Sequence, residues 1–224
     1  TRSCIRELFD YGLKQAAIVG KENVFDFSIG NPSIPAPKKV NESIIDIVRT
    51  EDSLKVHGYT SAPGLEELRM AVAEELTGRM GMEIKPSNLF FTCGAAPALT
   101  ATLKALHIGP ETEILAIAPF FPEYRPFTEG TGSKFRFVPA NTKTFQIDFE
   151  SLEAMVNKNT QAVIVNTPNN PSGVVFSRET LMRLGEILGK KAAEFGHPIY
   201  LISDEPYREL VYGDVEVPWV PSIY

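Results

Sequence analysis

Three short stretches hold the residue types that could do chemistry: TCGAAPA at 92–98, NTPNNPSG at 166–173 and SDEPY at 203–207. In the first, Gly94 closes an apolar run and a helix is expected to begin at once. The small Ala95 and Ala96 would let backbone N–H groups approach a ligand. A helix N-terminus offers free N–H groups and the positive end of the helix dipole, which suits a phosphate. The stretch matches neither GxGxxG nor GxxxxGK(S/T), so a dinucleotide or a P-loop nucleotide is disfavoured. A tight strand-to-helix turn explains it equally well when it is taken alone. In the second stretch, Asn170 precedes Pro171, which forces an extended or turn conformation and makes a cis bond plausible. Its amide could point into a cleft as a donor, with an ordinary loop as the rival reading. In the third, Asp204 ends an apolar run and Tyr207 comes three residues later. A buried carboxylate there needs a cationic or N–H partner. The plainer alternative, a cap on a following helix with Pro206 in its first turn, is the better reading of this stretch by itself.

These residues must be positioned by the elements around them. Apolar runs at NLFFTCG, EILAIAP, KFRFVPA, QAVIVNTP and HPIYLISDEP read as strands, each leading into a helix or a long connection. Between the last two, SRETLMRLGEILGKKAAEFG sets Leu181, Leu184, Ile187 and Leu188 on one helical face, with Ser177 as N-cap and Gly196 as the stop. Earlier, Leu65, Leu68, Val72, Leu76 and Met80 recur at spacings of three and four and predict a helix that buries one face. Nearly continuous apolar strands such as AVIV and IYLI imply a mostly parallel sheet covered on both sides, a three-layer α/β/α arrangement. Ligands of such sheets bind beyond the carboxyl ends of the strands, so the three stretches should converge on one cleft. The first forty residues differ: an amphipathic CIRELFDYGLKQAAIVG, an apolar VFDFSIG and a Pro-rich NPSIPAPKKV. They read as an N-terminal arm or small-domain segment, 1–40, ahead of a large domain at 41–224.

With 224 residues, 43% of them hydrophobic and 22% charged, the chain can bury a sizeable core. The net charge of −6, with scattered basic residues, gives no footprint for nucleic acid or an anionic membrane surface. Cys4 and Cys93 have no metal-ligand or disulfide-framework spacing, which fits a reducing, cytoplasmic setting and no metal. No apolar run approaches the about 20 residues that span a bilayer. A small-molecule substrate is the better expectation.

Taken together, a phosphate-binding helix start, an Asn donor, and then Asp and Tyr at a strand end resemble the pyridoxal 5′-phosphate-dependent aminotransferases of class I and II, fold type I, the aspartate aminotransferase relatives. The resemblance runs from Gly30 to Tyr207, and NTPNNPSG with DEPY some thirty residues later is its specific part. It implies that Gly94, Ala95 and Ala96 hold the cofactor phosphate through backbone N–H groups. Phe121 in PFFPEY would stack on the pyridine ring, with Tyr124 as second choice. Asn170 and Tyr207 would donate to the phenolic O3′, and Asp204 would pair with the ring nitrogen. Asp204 and Tyr207 are the implied catalytic groups. The Gly30 backbone N–H would meet the substrate carboxylate, with a simple Gly turn as the rival, and Asn170 is a second implied substrate contact. Tyr59, in HGYTSAPGLEELR, would reach the phosphate of a neighbouring subunit, which implies a homodimer, although a surface aromatic in a Gly-rich turn is the rival. The implied substrates are an L-amino acid and a 2-oxo acid.

His57 and His107 lie away from the strand ends, and Glu205 is expected to face away from Asp204 by strand alternation. The lysine that in the family attaches to the cofactor has no counterpart here: none occurs after Lys191. A chain that starts at Thr1 and stops at Tyr224 is therefore expected to be the N-terminal part of an enzyme and inactive by itself. A lyase or decarboxylase of the same fold, or a non-catalytic aminotransferase-like regulatory domain, are the competing expectations.

Overall fold

Every residue of the strand Thr160–Asn166 is buried, and its apolar side chains alternate between two cores. Val163 and Val165 join one, Ala162 and Ile164 the other. The neighbouring strand Glu113–Ile117 divides in the same way, Leu115 and Ile117 on one side and Ile114 and Ala116 on the other. This is the signature of a sheet covered on both faces, where alternate side chains have no solvent side to avoid.

The computed structural model describes residues 4–28, 30 and 34–224. The Asn31-Pro32-Ser33 part of the Pro-rich segment lies outside them. In chain order the elements are α1 (Cys4–Val19), α2 (Lys38–Thr50), α3 (Ser53–His57), α4 (Glu66–Met80), α5 (Ala95–Ala105), β1 (Glu113–Ile117), α6 (Tyr124–Glu129), β2 (Lys134–Val138), α7 (Phe149–Met155), β3 (Thr160–Asn166), α8 (Arg178–Phe195) and β4 (Tyr200–Asp204). Two compact units divide the chain, Thr1–Arg69 and Met70–Tyr224. In the first, α3 is capped by Asp52, whose carboxylate accepts from the N–H groups of Leu54 and Lys55.

The second unit holds the sheet. All its pairings are parallel and the order is β2-β1-β3-β4. Leu99 and Leu103 of α5 and Tyr124 of α6 cover one face, together with Phe135. Leu152 of α7 and Leu181, Leu184, Ile187 and Leu188 of α8 cover the other. Each fully buried Leu stabilises the fold by about 1.5–3 kcal/mol through area removed from water. Helix α8 starts and stops where its sequence says. Ser177 Oγ accepts from the Thr180 N–H at 3.1 Å, and Gly196 takes the left-handed conformation, φ +74°, that lets its N–H return to the Ala192 carbonyl.

One expectation fails and a second holds only in part. NLFFTCG forms no strand, and Phe90 is largely exposed. Its composition is that of a strand, but a strand exists only when a neighbour takes its N–H and C=O groups. The sheet found among the described residues ends at β2 and β4. Helix α4 forms as its spacing predicts, with Ala73 buried and Val72, Leu76 and Met80 half-buried, while Leu65 and Leu68 at its start remain about half exposed. Periodicity identifies an apolar face; it does not supply the surface that covers it.

Candidate functional site

The strands β3 and β4 end side by side, Asn166 opposite Asp204 in the ladder, so the turns leaving the two strands meet at one sheet edge. The turn after β3 commits its polar side chains one by one. Thr167 Oγ1 accepts from the Phe176 N–H at 2.8 Å. Asn169 Oδ1 accepts from the N–H and the hydroxyl of Ser172 at 3.0 and 2.7 Å, while its Nδ2 donates to the Pro119 carbonyl at 3.1 Å. The main chain closes with Gly173 N–H on the Asn169 carbonyl, a geometry in which Gly173 has φ +71°. Thr167-Pro168 and Asn170-Pro171 are both cis, as is Ala118-Pro119 after β1. Asn170 faces a ligand-sized space, its Nδ2 donating to the Tyr207 hydroxyl at 3.3 Å.

That space is a cavity of about 180 Å³. Ala95, Ala96, Phe121, Asn170, Asp204 and Tyr207 all line it, with Asn166, Leu99, Phe127 and Pro206 completing the wall. Five of the residues singled out as cofactor contacts from three separate stretches, and Phe121 from a fourth, are thus brought together. Burial pushes the Asp204 carboxyl above its ordinary value. A hydrogen bond from Tyr124 pulls it back, and the charge of Glu205 adds to the rise. An anion that costs desolvation in this way lacks a counter-charge, and a ligand cation would provide it.

Tyr124 does not line the cavity. It sits behind Asp204, 1% exposed, with its hydroxyl donating to Asp204 Oδ2 at 2.5 Å and its ring edge-on to Phe121 at 5.7 Å between centroids. A ring that has no face free is not a stacking platform, so of the two candidates only Phe121 is placed for that work. Burial, then the Asp204 charge, raises the Tyr124 phenol well above its ordinary value and keeps it a donor. Gly94 is the N-cap of α5 at φ +99° and ψ 176°, and its own N–H is turned back to the Thr92 carbonyl at 2.9 Å. The free N–H groups at this helix start are those of Ala95 and Ala96, because the first turn has no intrahelical partner and Pro97 has no N–H to offer.

Gly30 and Tyr59 belong to the first compact unit. Gly30 is exposed with open space where a Cβ would stand, and the Tyr59 side chain is fully exposed. His107 packs against Ser133, Nδ1 to Oγ 3.0 Å, and His57 closes α3. Glu205 pairs with Arg208 at 2.7 Å, and Arg208 continues to the carbonyls of Val217 and Pro218 while lying 3.5 Å over the Trp219 ring. The Glu205 carboxylate is therefore occupied. Sequence reasoning missed Asn166, whose side chain bridges the two strand ends. Only its place as the first of three Asn in the turn could have marked it.

A family model described as "Aminotransferase class I and II" matches residues 22–221. The chain is 32% identical over 212 residues to the aspartate aminotransferase of Thermotoga maritima, covering 94% of this chain and 53% of that protein. It is 30% identical over 192 residues to the aspartate aminotransferase of Bacillus subtilis, covering 85% and 46%. Among solved structures, an amino transferase from Eubacterium rectale superposes with a TM-score of 0.93 at 52% identity, over 100% of this chain and 56% of that one. An aromatic aminotransferase from Pyrococcus horikoshii gives 0.76 at 26% identity, over 94% and 54%. The chain spans about half the length of the curated relatives it matches.

Proposed function

Because this chain belongs to the class I and II aminotransferase family, we propose that it is the cofactor-cradling part of a pyridoxal 5′-phosphate-dependent transaminase that moves an amino group from an L-amino acid to a 2-oxo acid. The observation that carries the reading is the Asp204 carboxylate at the end of β4, part-buried with no cation beside it among the described residues, in a cavity that also presents an aromatic ring and the start of a helix. The group fits on chemical grounds. Asp204 is the partner for a protonated ring nitrogen, Phe121 for the face of a planar ring, and the Asn170–Tyr207 pair for a phenolic oxygen. The N–H groups of Ala95 and Ala96 are the partners for a phosphate.

Bound there, the cofactor supplies an electron sink for a substrate carbon that has lost its proton. The residues of this chain hold it in place. Asp204 keeps the ring nitrogen charged, since an opposite charge at hydrogen-bond range favours the ionised form. Asn170 and Tyr207 orient the ring about that anchor, and Phe121 excludes water from one face. Tyr124 keeps the Asp204 carboxylate turned to the ring. Gly30 is assigned to the substrate carboxylate, Asn170 to the substrate as a further contact, and Tyr59 to the cofactor phosphate of a second subunit in a cytoplasmic homodimer. The proton-moving lysine is assigned to the half of the relatives' length that this chain does not span.

Aspartate is the first donor to assay, since relatives named for it recur among the matches. With the full-length protein, L-aspartate should lose its amine only when a 2-oxo acid is supplied. Asp204→Ala should lower that rate by orders of magnitude while the protein still folds. Amine loss independent of any 2-oxo acid would overturn the transaminase in favour of a lyase of the same fold.

A further inference from the structure

Asn166 is assigned no contact with the cofactor, yet two of the groups that do make contact depend on it. It is 4% exposed at the last position of β3, opposite Asp204 in the ladder. Its amide is committed on both sides. Oδ1 accepts from the Asn170 N–H at 2.6 Å, and Nδ2 donates to the Asp204 carbonyl at 2.8 Å. The partners, one a donor and the other an acceptor, fix which way the amide faces. A single side chain thus ties the backbone that carries Asn170 to the backbone that carries Asp204, across two different elements.

We propose that Asn166 is a positioning residue for the cofactor. It sets the spacing between the Asp204 carboxylate and the Asn170 amide, and with it the register in which one planar ring can meet both. This rests on the reading that the cavity takes pyridoxal 5′-phosphate. Binding constellations tolerate displacements of only about 0.5 Å, and that tolerance is kept by hydrogen bonds one step behind the contact groups. The carboxamide on its one-carbon stem is the side chain that serves both partners. Aspartate at 166 would keep the acceptor for Asn170 N–H but set a second acceptor against the Asp204 carbonyl. Serine would be too short to span the two, and glutamine is longer by a methylene in a buried site. Either loss leaves a buried N–H or C=O with no partner, so the local backbone shifts to find one.

The test uses the full-length protein without cofactor and measures the binding of pyridoxamine 5′-phosphate, which needs no covalent link to a lysine. Asn166→Ser and Asn166→Asp should each weaken binding by about tenfold or more, the scale seen when a group that orients a direct contact is removed. In an Asp204→Ala background the same changes should cost less than about threefold, because much of what Asn166 positions is gone. Melting of the apo variants runs alongside. Affinity within about twofold of the parent, whatever the melting temperature does, would overturn the proposal and leave Asn166 as part of the fold. An equal loss in both backgrounds would overturn it too, as would failure of both variants to fold. A parent that binds no pyridoxamine 5′-phosphate would instead overturn the cofactor reading on which the proposal stands.

Discussion

Asp204 is the residue at which stability and function pull in opposite directions. Its carboxyl is raised above its ordinary value by burial. A carboxyl raised on folding binds protons more tightly in the folded state, so stability falls as pH rises from about 3.9, the unfolded value, through the folded one. Above that interval the cost is fully present. Asp204→Asn removes the charge and keeps an oxygen for the Tyr124 hydroxyl. The cofactor-free variant should therefore melt higher than the parent at pH 7.5, and the gap should close as pH is lowered toward 4. A variant that melts lower at neutral pH would show that the carboxylate is already compensated without ligand. Sequence marked this residue as a costly acid at the end of an apolar run but left a helix cap as the better reading of SDEPY by itself. Only its company with TCGAAPA and NTPNNPSG, through the family resemblance, implied a role at a site. Sequence could not locate Tyr124's role, since the hydrogen bond joins residues 80 positions apart. Asn170 was legible from its place before a proline in a turn richer in polar residues than a turn requires. Asn166 was not, because its work is done on backbone groups that any residue at 170 and 204 would carry.

At the scale of elements, the start of α5 shows how one backbone conformation serves a site. Gly94 holds φ +99° with ψ 176°, a region open to glycine and strained for any residue with a Cβ, at about 1–3 kcal/mol. No heavy atom lies within 4 Å of where that Cβ would stand, so the obstacle is torsional and not steric crowding. Gly94→Ala should destabilise the protein by that margin or rotate the Ala95 and Ala96 N–H groups away from the cavity. Both effects are measurable, as a lower melting temperature and as weaker binding of inorganic phosphate at that helix start. A variant with both unchanged would show that the glycine conformation is not what presents those N–H groups. Elements whose evidence is local, such as α8 with its cap, stripe and stop, were readable to the residue. NLFFTCG was not, since its strand character depends on a neighbour that no window of sequence contains. The exposed beginning of the α4 stripe, Leu65 and Leu68, is the same lesson in a helix: period is local, cover is not.

Across the sheet, the molecule is built as two cores that share a backbone but no side chain. Leu103 lies in the core under α5 and α6, Leu184 in the core under α7 and α8, and both are completely buried. Each Leu→Ala change should cost about 2–5 kcal/mol, the transfer loss plus the cavity left behind. Since the strands of the sheet separate them and neither packs in the other's core, the two changes should add in the double variant to within about 0.5 kcal/mol. Urea unfolding with an unchanged slope would read the three values directly. A double variant that departs from the sum by more than about 1 kcal/mol would mean that the sheet passes strain from one layer to the other. The ends of β3 and β4, where Asn166 and Asp204 stand opposite each other, would then respond to packing on either face, and changes in both cores would alter cofactor affinity together. Additive energies would instead leave the site governed by the hydrogen bonds at the strand ends, and either core could then be altered without moving it.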